Sequence, residues 1–298
     1  MRCYTSDHYV LPLPQGHRFP MQRYALLRQY VEELPGIELY EAPAATVEDL
    51  RLAHDAYYVE KALSGQLDRM EQRRLGFPWS PQLVQRSLRS VGATLAAAHY
   101  VVSEAGPRCA ANLAGGTHHA FADRGEGFCL FNDGVVAARA LGLRVAFVDL
   151  DVHQGNGTAA LAWHDPRLFT LSLHGRHNYP FHKEQSDCDL ELPDGCQDEE
   201  YLAILEEGLE RVWQWQPQLV IYLAGADPYR GDRLGRLGLS EEGLARRDRR
   251  VLQGCYEQQL PVVITMAGGY AVPIEDTARI QARTVAMARD IYEPLKPS

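Results

Sequence analysis

The chain has 298 residues, 46% of them hydrophobic, enough for a sizeable buried core. Thirty Lys and Arg against 39 Asp and Glu leave a net charge of −9, which argues against a sequence-blind nucleic-acid binder and fits a cationic substrate or basic peptide only loosely. Six scattered cysteines without a CxxC pair exclude a disulfide framework, and no stretch approaches the ~20 apolar residues of a membrane span. With no signal-peptide run in MRCYTSDHYVLPLPQG, the expectation is a cytoplasmic protein with reduced thiols that contacts neither membrane nor nucleic acid directly.

Residues 17–105 read mostly as helix, and SPQLVQRSLRSVGATLAAAHYVVSEAG opens on a Ser-Pro start and keeps helical apolar spacing. From residue 109 short apolar strands alternate with helices. The strands are expected at Cys109–Leu113, Val145–Leu150, Leu168–Leu173, Leu219–Leu223 and Val262–Met266. Helices are expected around Gly134–Leu141, Thr158–Trp163, Glu199–Trp215, Ser240–Gln259 and Ile274–Leu295. This alternation predicts one α/β domain over 1–298, a central mostly parallel sheet with helices on both faces.

Every unusual polar cluster follows one of those strands: NLAGGTHHA, DLDVHQGNG, SLHGRH, AGADPYRGD and AGGYA. In a parallel sheet the carboxyl ends share one rim, where ligands bind. In Asp149-Leu-Asp151-Val-His153, extended alternation puts the three polar residues on one face. Buried neighbouring carboxylates repel, and a divalent cation relieves that repulsion. Asp151 and His153 form a natural ligand pair, with Asp227 the third from a neighbouring strand end. Three protein ligands and one open position is the catalytic zinc pattern, and iron(II) or cobalt suits the same donors. Gln154, Gly155 and Asn156 offer no further acid, so the site reads as mononuclear. Of His118 and His119, one can bond Asp149 while the other takes a proton from water. Tyr270, after Gly268-Gly269, can donate to a developing oxyanion. His164, His174 and His177 lie in rim loops, His8 and His17 near the entrance. Arg246–Arg250 reads as a solvated helix face, and Asp232 with Arg233 as a local ion pair.

These segments resemble the zinc-dependent histone deacetylase family of the arginase/deacetylase fold, matching it in order with GGTHHA (115–120), GFCLFND (127–133), VDLDVHQGNG (148–157), AGAD (224–227) and AGGY (267–270). HRFPMQRY, GFPWS, SDCDLELPDG and GDRLGRLGLS look like its class IV branch and bacterial relatives. The resemblance implies zinc on Asp151, His153 and Asp227, His119 as general base, and His118 as an electrostatic partner paired to Asp149. Tyr270 would polarise the substrate carbonyl. Gly127 and Phe128 would line an acyl-lysine channel, with Phe181 or Tyr179 the opposite wall. It further implies potassium near Asp149, Asp151, His153, Ser172 and Leu173. Class I members carry an aspartate where this chain has Asn156, which predicts a lower His119 pKa and weaker activity on plain acetyl-lysine. The expected substrate is an acyl-lysine protein or peptide. Alternatives are an acetylpolyamine or other small acyl-amide, which would need acidic residues at the channel mouth and an occluded entrance, and a catalytically silent metal-binding protein.

Overall fold

The computed structural model describes residues 1–103 and 108–293. Along the chain run β1 (Arg2–Thr5), α1 (Gln22–Glu32), β2 (Glu38–Glu41), α2 (Val47–Leu50), α3 (Ala56–Ser64), α4 (Arg69–Leu75), α5 (Pro81–Val102) and β3 (Cys109–Asn112). Then come α6 (Asp133–Leu141), β4 (Val145–Asp149), α7 (Asn156–Ala162), β5 (Leu168–Gly175), β6 (Cys188–Leu192), α8 (Asp198–Trp215), β7 (Leu219–Leu223), α9 (Glu241–Glu257), β8 (Val262–Thr265) and α10 (Ile274–Tyr292). The eight strands form one sheet in the order β2-β1-β3-β8-β7-β4-β5-β6, every pair parallel.

Alternation along the central strands divides the core in two. Ala146 and Val148 of β4 and Val220 and Tyr222 of β7 face the layer built by α1, α8, α9 and α10. Val145 and Phe147, with Leu219 and Ile221, face α5 and α6. Burial on both faces is what makes these strands continuous apolar runs. The helices start where their caps dictate: Ser80 accepts from Leu83 N–H with Pro81 behind it, and Asp68 forms a reciprocal capping box with Glu71. All six cysteines are buried thiols.

The five expected strands are five consecutive neighbours in the sheet. Three strands were not expected. β2 and β6 lie at the two edges, where ELYE and CDLEL turn polar side chains outward. β1, only four residues long, sits inside the sheet. The helical reading of 17–105 therefore has to admit β2, and helix α10 ends at Tyr292. The expected helical extensions over Glu104–Gly106 and Pro294–Leu295 lie outside the described residues. β4 also stops sooner than expected: the extended run ends at Asp149, and Asp151 and His153 stand on the bend beyond it.

Candidate metal centre and active site

Strands β4 and β7 pair directly, with Asp149 opposite Leu223, so their following loops meet. Asp151, His153 and Asp227 place one ligand atom each within 4.8 Å of one another. His153 Nδ1 lies 2.8 Å from Asp151 Oδ1 and 3.3 Å from Asp227 Oδ2. The loops lock these groups from behind. Val152 N–H donates to Asp227 Oδ1 at 2.9 Å, and Gly268 N–H donates to Asp151 Oδ2 at 2.7 Å. Gly268 has to be glycine, because a Cβ there would stand 1.9 Å from Asp227 Oδ2. Asp227 Oδ2 itself is fully buried and accepts no hydrogen bond. Burial first, and the Asp151 charge second, push the Asp227 carboxyl up to about 7. Burial opposes charge on His153, but the two aspartates beside it outweigh that and lift the ring to about 10. Two carboxylates and an imidazole crowded into one bend fit a divalent cation.

The loop carrying the histidines is pinned by the first residue of α6. Asp133 accepts from Gly116 N–H at 3.0 Å, from Thr117 N–H at 2.8 Å and from the Thr94 and Thr117 hydroxyls. Gly115 and Gly116, both at positive φ, make the turn that this pinning requires. His118 Nδ1 then meets Asp149 Oδ2 at 2.7 Å, and His119 Nδ1 meets Asn156 Oδ1 at 2.6 Å. The tautomer of His119 follows from its neighbours. Asn156 gives its amide N–H to Glu126 at 3.2 Å, a carboxylate that can only accept, so its oxygen faces the ring. His119 must therefore carry hydrogen on Nδ1, leaving the Nε2 lone pair free. Burial, then the His118 and His153 charges, hold His119 well below its ordinary value. His118 goes the other way: burial opposes its charge, yet Asp149 and Asp151 raise it to about 9. The two rings are therefore shifted in opposite directions.

Both groups open into a cavity of about 720 Å³ that also exposes Asp151, His153 and Tyr270. Tyr270 is buried, which raises its hydroxyl well above the ordinary range and keeps it a donor. Its backbone is clamped: Tyr270 N–H donates to Asp232, and its carbonyl accepts from Arg233 Nε at 3.4 Å. Asp232 also accepts from Leu234 and Gly235 N–H, so it shapes the rim through backbone bonds rather than the expected Asp232–Arg233 ion pair. Phe128 stands at φ 68, a costly conformation for a side chain this large. It is held because Gly127 N–H and Phe128 N–H donate to Arg74 and Leu75 O, which end α4. A Cβ on Gly127 would meet His119 at 2.6 Å. Tyr179 packs edge-on against His119 with ring centres 5.0 Å apart, whereas Phe181 is 84% exposed at the mouth. Of the two, Tyr179 is the wall beside the histidines. Ser172 pairs in register with Asp149 and its hydroxyl faces His174 at 3.0 Å, with Leu173 next in the strand.

His174 is buried within the sheet, His177 lies on the cavity mouth, and His17 bonds Gly76 O at 3.0 Å beside Phe77 and Phe128.

Two supporting residues escaped the sequence. Arg247, in the stretch read as a solvated face, is fully buried and donates to Gly225 O at 2.6 Å and Leu150 O at 3.3 Å. Arg23 is buried too and donates to Ala267 O at 2.8 Å and Gly269 O at 3.0 Å. Each arginine fixes a loop bearing a site residue by its carbonyls. The only signal was position: Arg23 lies inside HRFPMQRY, and Arg247 is one of four arginines in RRDRR.

A histone deacetylase domain matches residues 17–287, nine-tenths of the chain. The chain belongs to the histone deacetylase family. It is 43% identical to an uncharacterized protein of Picosynechococcus sp., over 95% of this chain and 97% of the relative. Against histone deacetylase 8 of Xenopus tropicalis the identity is 31% over 87% of this chain and 73% of the relative. Against histone deacetylase 2 of Arabidopsis thaliana it is 37% over 66% of this chain, and the match spans about half (52%) of that relative. The family supports a hydrolase of deacetylase type, and it is typically metal-dependent.

Proposed function

We propose that this histone deacetylase-family chain is a zinc-dependent hydrolase that removes acyl groups from lysine side-chain amides. The observation that carries the reading is the histidine pair, His118 bonded to Asp149 and His119 to Asn156, set with Tyr270 and the three buried ligands around one cavity. Held by Asp151, His153 and Asp227, zinc would supply Lewis acidity for the carbonyl and lower the pKa of water; iron(II) suits the same donors. His119, neutral with Nε2 free, accepts the proton of the attacking water. His118 remains cationic against Asp149 and stabilises the negative charge that gathers during attack. Tyr270 donates its hydroxyl to the carbonyl oxygen as that charge develops. The proton then passes from the histidine pair to the departing amine. Phe128 and Tyr179 offer aromatic surface to the alkyl stem of the lysine. Asp149, Ser172 and the carbonyls near them offer oxygen donors suited to potassium.

The polyamine alternative draws no support from the mouth of the cavity, where the charged side chains are arginines. The silent-protein alternative would have Tyr270, a ligand or a histidine missing, and all are in place.

Hydrolysis of lysine peptides carrying acyl chains from acetyl to myristoyl tests the proposal. Metal-dependent turnover is expected, and Tyr270→Phe should lower kcat by about 10²–10³ while leaving the zinc content unchanged. Metal-loaded enzyme that turns over none of these peptides would overturn it.

A further inference from the structure

The chain is acidic overall, at −9, but its cavity is lined by seven arginines and a single carboxylate, the metal-facing Asp151. Two of the seven, Arg23 and Arg86, are buried and belong to the framework. The other five, Arg18, Arg73, Arg74, Arg233 and Arg236, are exposed and stand at the opening. They come from three separate parts of the fold: the segment before α1, the last turn of α4, and the loop after β7. Arg236 is offset by Asp194 at 3.3 Å, and Arg233 bonds only a carbonyl. Arg18, Arg73 and Arg74 make no ion pair among the described residues, in a chain where Arg246, Arg279 and Arg283 each find a glutamate. In an acidic protein this rim gathers five exposed arginines, and Asp194 is the one carboxylate that pairs with any of them among the described residues. A cleft with low-dielectric walls focuses such a field on whatever enters it.

Resting on the lysine-amide reading above, we propose that the arginine rim selects substrates whose acyl-lysine is flanked by acidic residues. The loose fit of the net charge to a cationic substrate is thereby reversed at the place where substrate arrives. Arg73 and Arg74 are tied to the channel itself, since the carbonyls closing α4 hold Gly127 and Phe128. A carboxylate drawn to that helix end is therefore drawn to the channel entrance. Arg18 faces the opening from the other chain segment, so acidic residues on either side of the lysine find a partner.

The test uses zinc-loaded full-length protein and three acyl-lysine peptides flanked by Glu, Ala or Lys. The expected kcat/KM order is Glu over Ala over Lys. Three exposed pairs should make Glu over Lys on the order of tenfold at low salt, collapsing towards one at high salt. The triple variant Arg18→Glu, Arg73→Glu, Arg74→Glu should invert the order while turnover of the Ala peptide stays within about twofold. Turnover of the Ala peptide with equal rates for Glu and Lys flanks would overturn the rim proposal and leave the lysine reading standing. If no peptide is turned over, calorimetric titration of the same peptides decides. Tighter, salt-sensitive binding of the Glu peptide that the triple variant loses would uphold the rim and sink only the lysine reading. Equal binding would sink both.

Discussion

Asn156 sets the balance of the histidine pair through one atom. Its oxygen accepts from His119 but brings no charge, so that bond and the Asp151 charge do not outweigh burial and the neighbouring histidines. Replacing it with a carboxylate favours the imidazolium and raises the His119 pKa. Asn156→Asp should accordingly move the acidic limb of the kcat/KM profile to higher pH. Pairing it with Glu126→Gln removes the new like-charge contact, and an unmoved limb in both variants would count against His119 as the base. A second histidine, His54, tests burial without touching the site. It bonds Phe121 O at 2.8 Å and accepts from Asn132 N–H at 2.9 Å, which fixes it neutral, and burial lowers it to about 4. The unfolded chain protonates it near 6.5, so its contribution is complete above that value and is lost as pH falls to about 4. Urea denaturation should show stability declining across this window by up to ~3 kcal/mol from His54 alone, and a shallower decline in His54→Gln. At this scale the sequence was legible wherever a residue type had few alternative uses. An Asp-x-Asp-x-His run on an apolar strand is one such case. Arg247 was not legible, because its partners Leu150 and Gly225 lie 97 and 22 positions away and only the folded chain supplies them.

Elements hold the site by their ends. The loops after β4 and β7 bear the ligands, and α9 reaches back to both through Arg247. That guanidinium also pairs with Asp248 at 2.7 Å, and Asp248 is bonded by Tyr222 and Thr284 hydroxyls, all of it buried. Removing one partner of a buried pair costs about 3–5 kcal/mol. Arg247→Met should lower the unfolding free energy by that amount in urea denaturation. It should also weaken zinc binding in a competition titration, since Leu150 O and Gly225 O lose their donor. Full zinc affinity in a folded Arg247→Met protein would show that the loops hold themselves. Strand recognition followed burial at this scale as well. The strands covered on both faces were plain as apolar runs, while ELYE and CDLEL at the edges carry the charges that edges need and so resemble loops. β1, with Arg2 and Thr5 at its ends, does not read as an apolar run although it lies inside the sheet.

For the molecule as a whole, the metal is expected to be part of the fold's stability. Asp151 and Asp227 are both fully buried within one small bend, and a cation offsets their repulsion. A ligand at about 100 times its Kd adds ~2.7 kcal/mol to the folded state. Stripping zinc with a chelator should therefore lower Tm by several degrees in differential scanning calorimetry, and re-addition should restore it. A Tm indifferent to the metal would mean that the bend accommodates its own charges. No helix among the described residues is long and apolar enough to cross a membrane.

The strand order carries a consequence for how the site is completed. Strand β8 lies between β3 and β7, joining the group β2-β1-β3 to the group β7-β4-β5-β6. Its four residues, Val262–Thr265, follow every other strand of the sheet in the chain. Without them the seven earlier strands fall into two groups that do not pair with each other. Asp151, His153 and Asp227 all follow strands of the second group, while Gly268, whose N–H holds Asp151, follows the closing strand. Tyr270 follows that strand too. The strand that joins the two groups of the sheet is thus also the one that completes the site around its ligands.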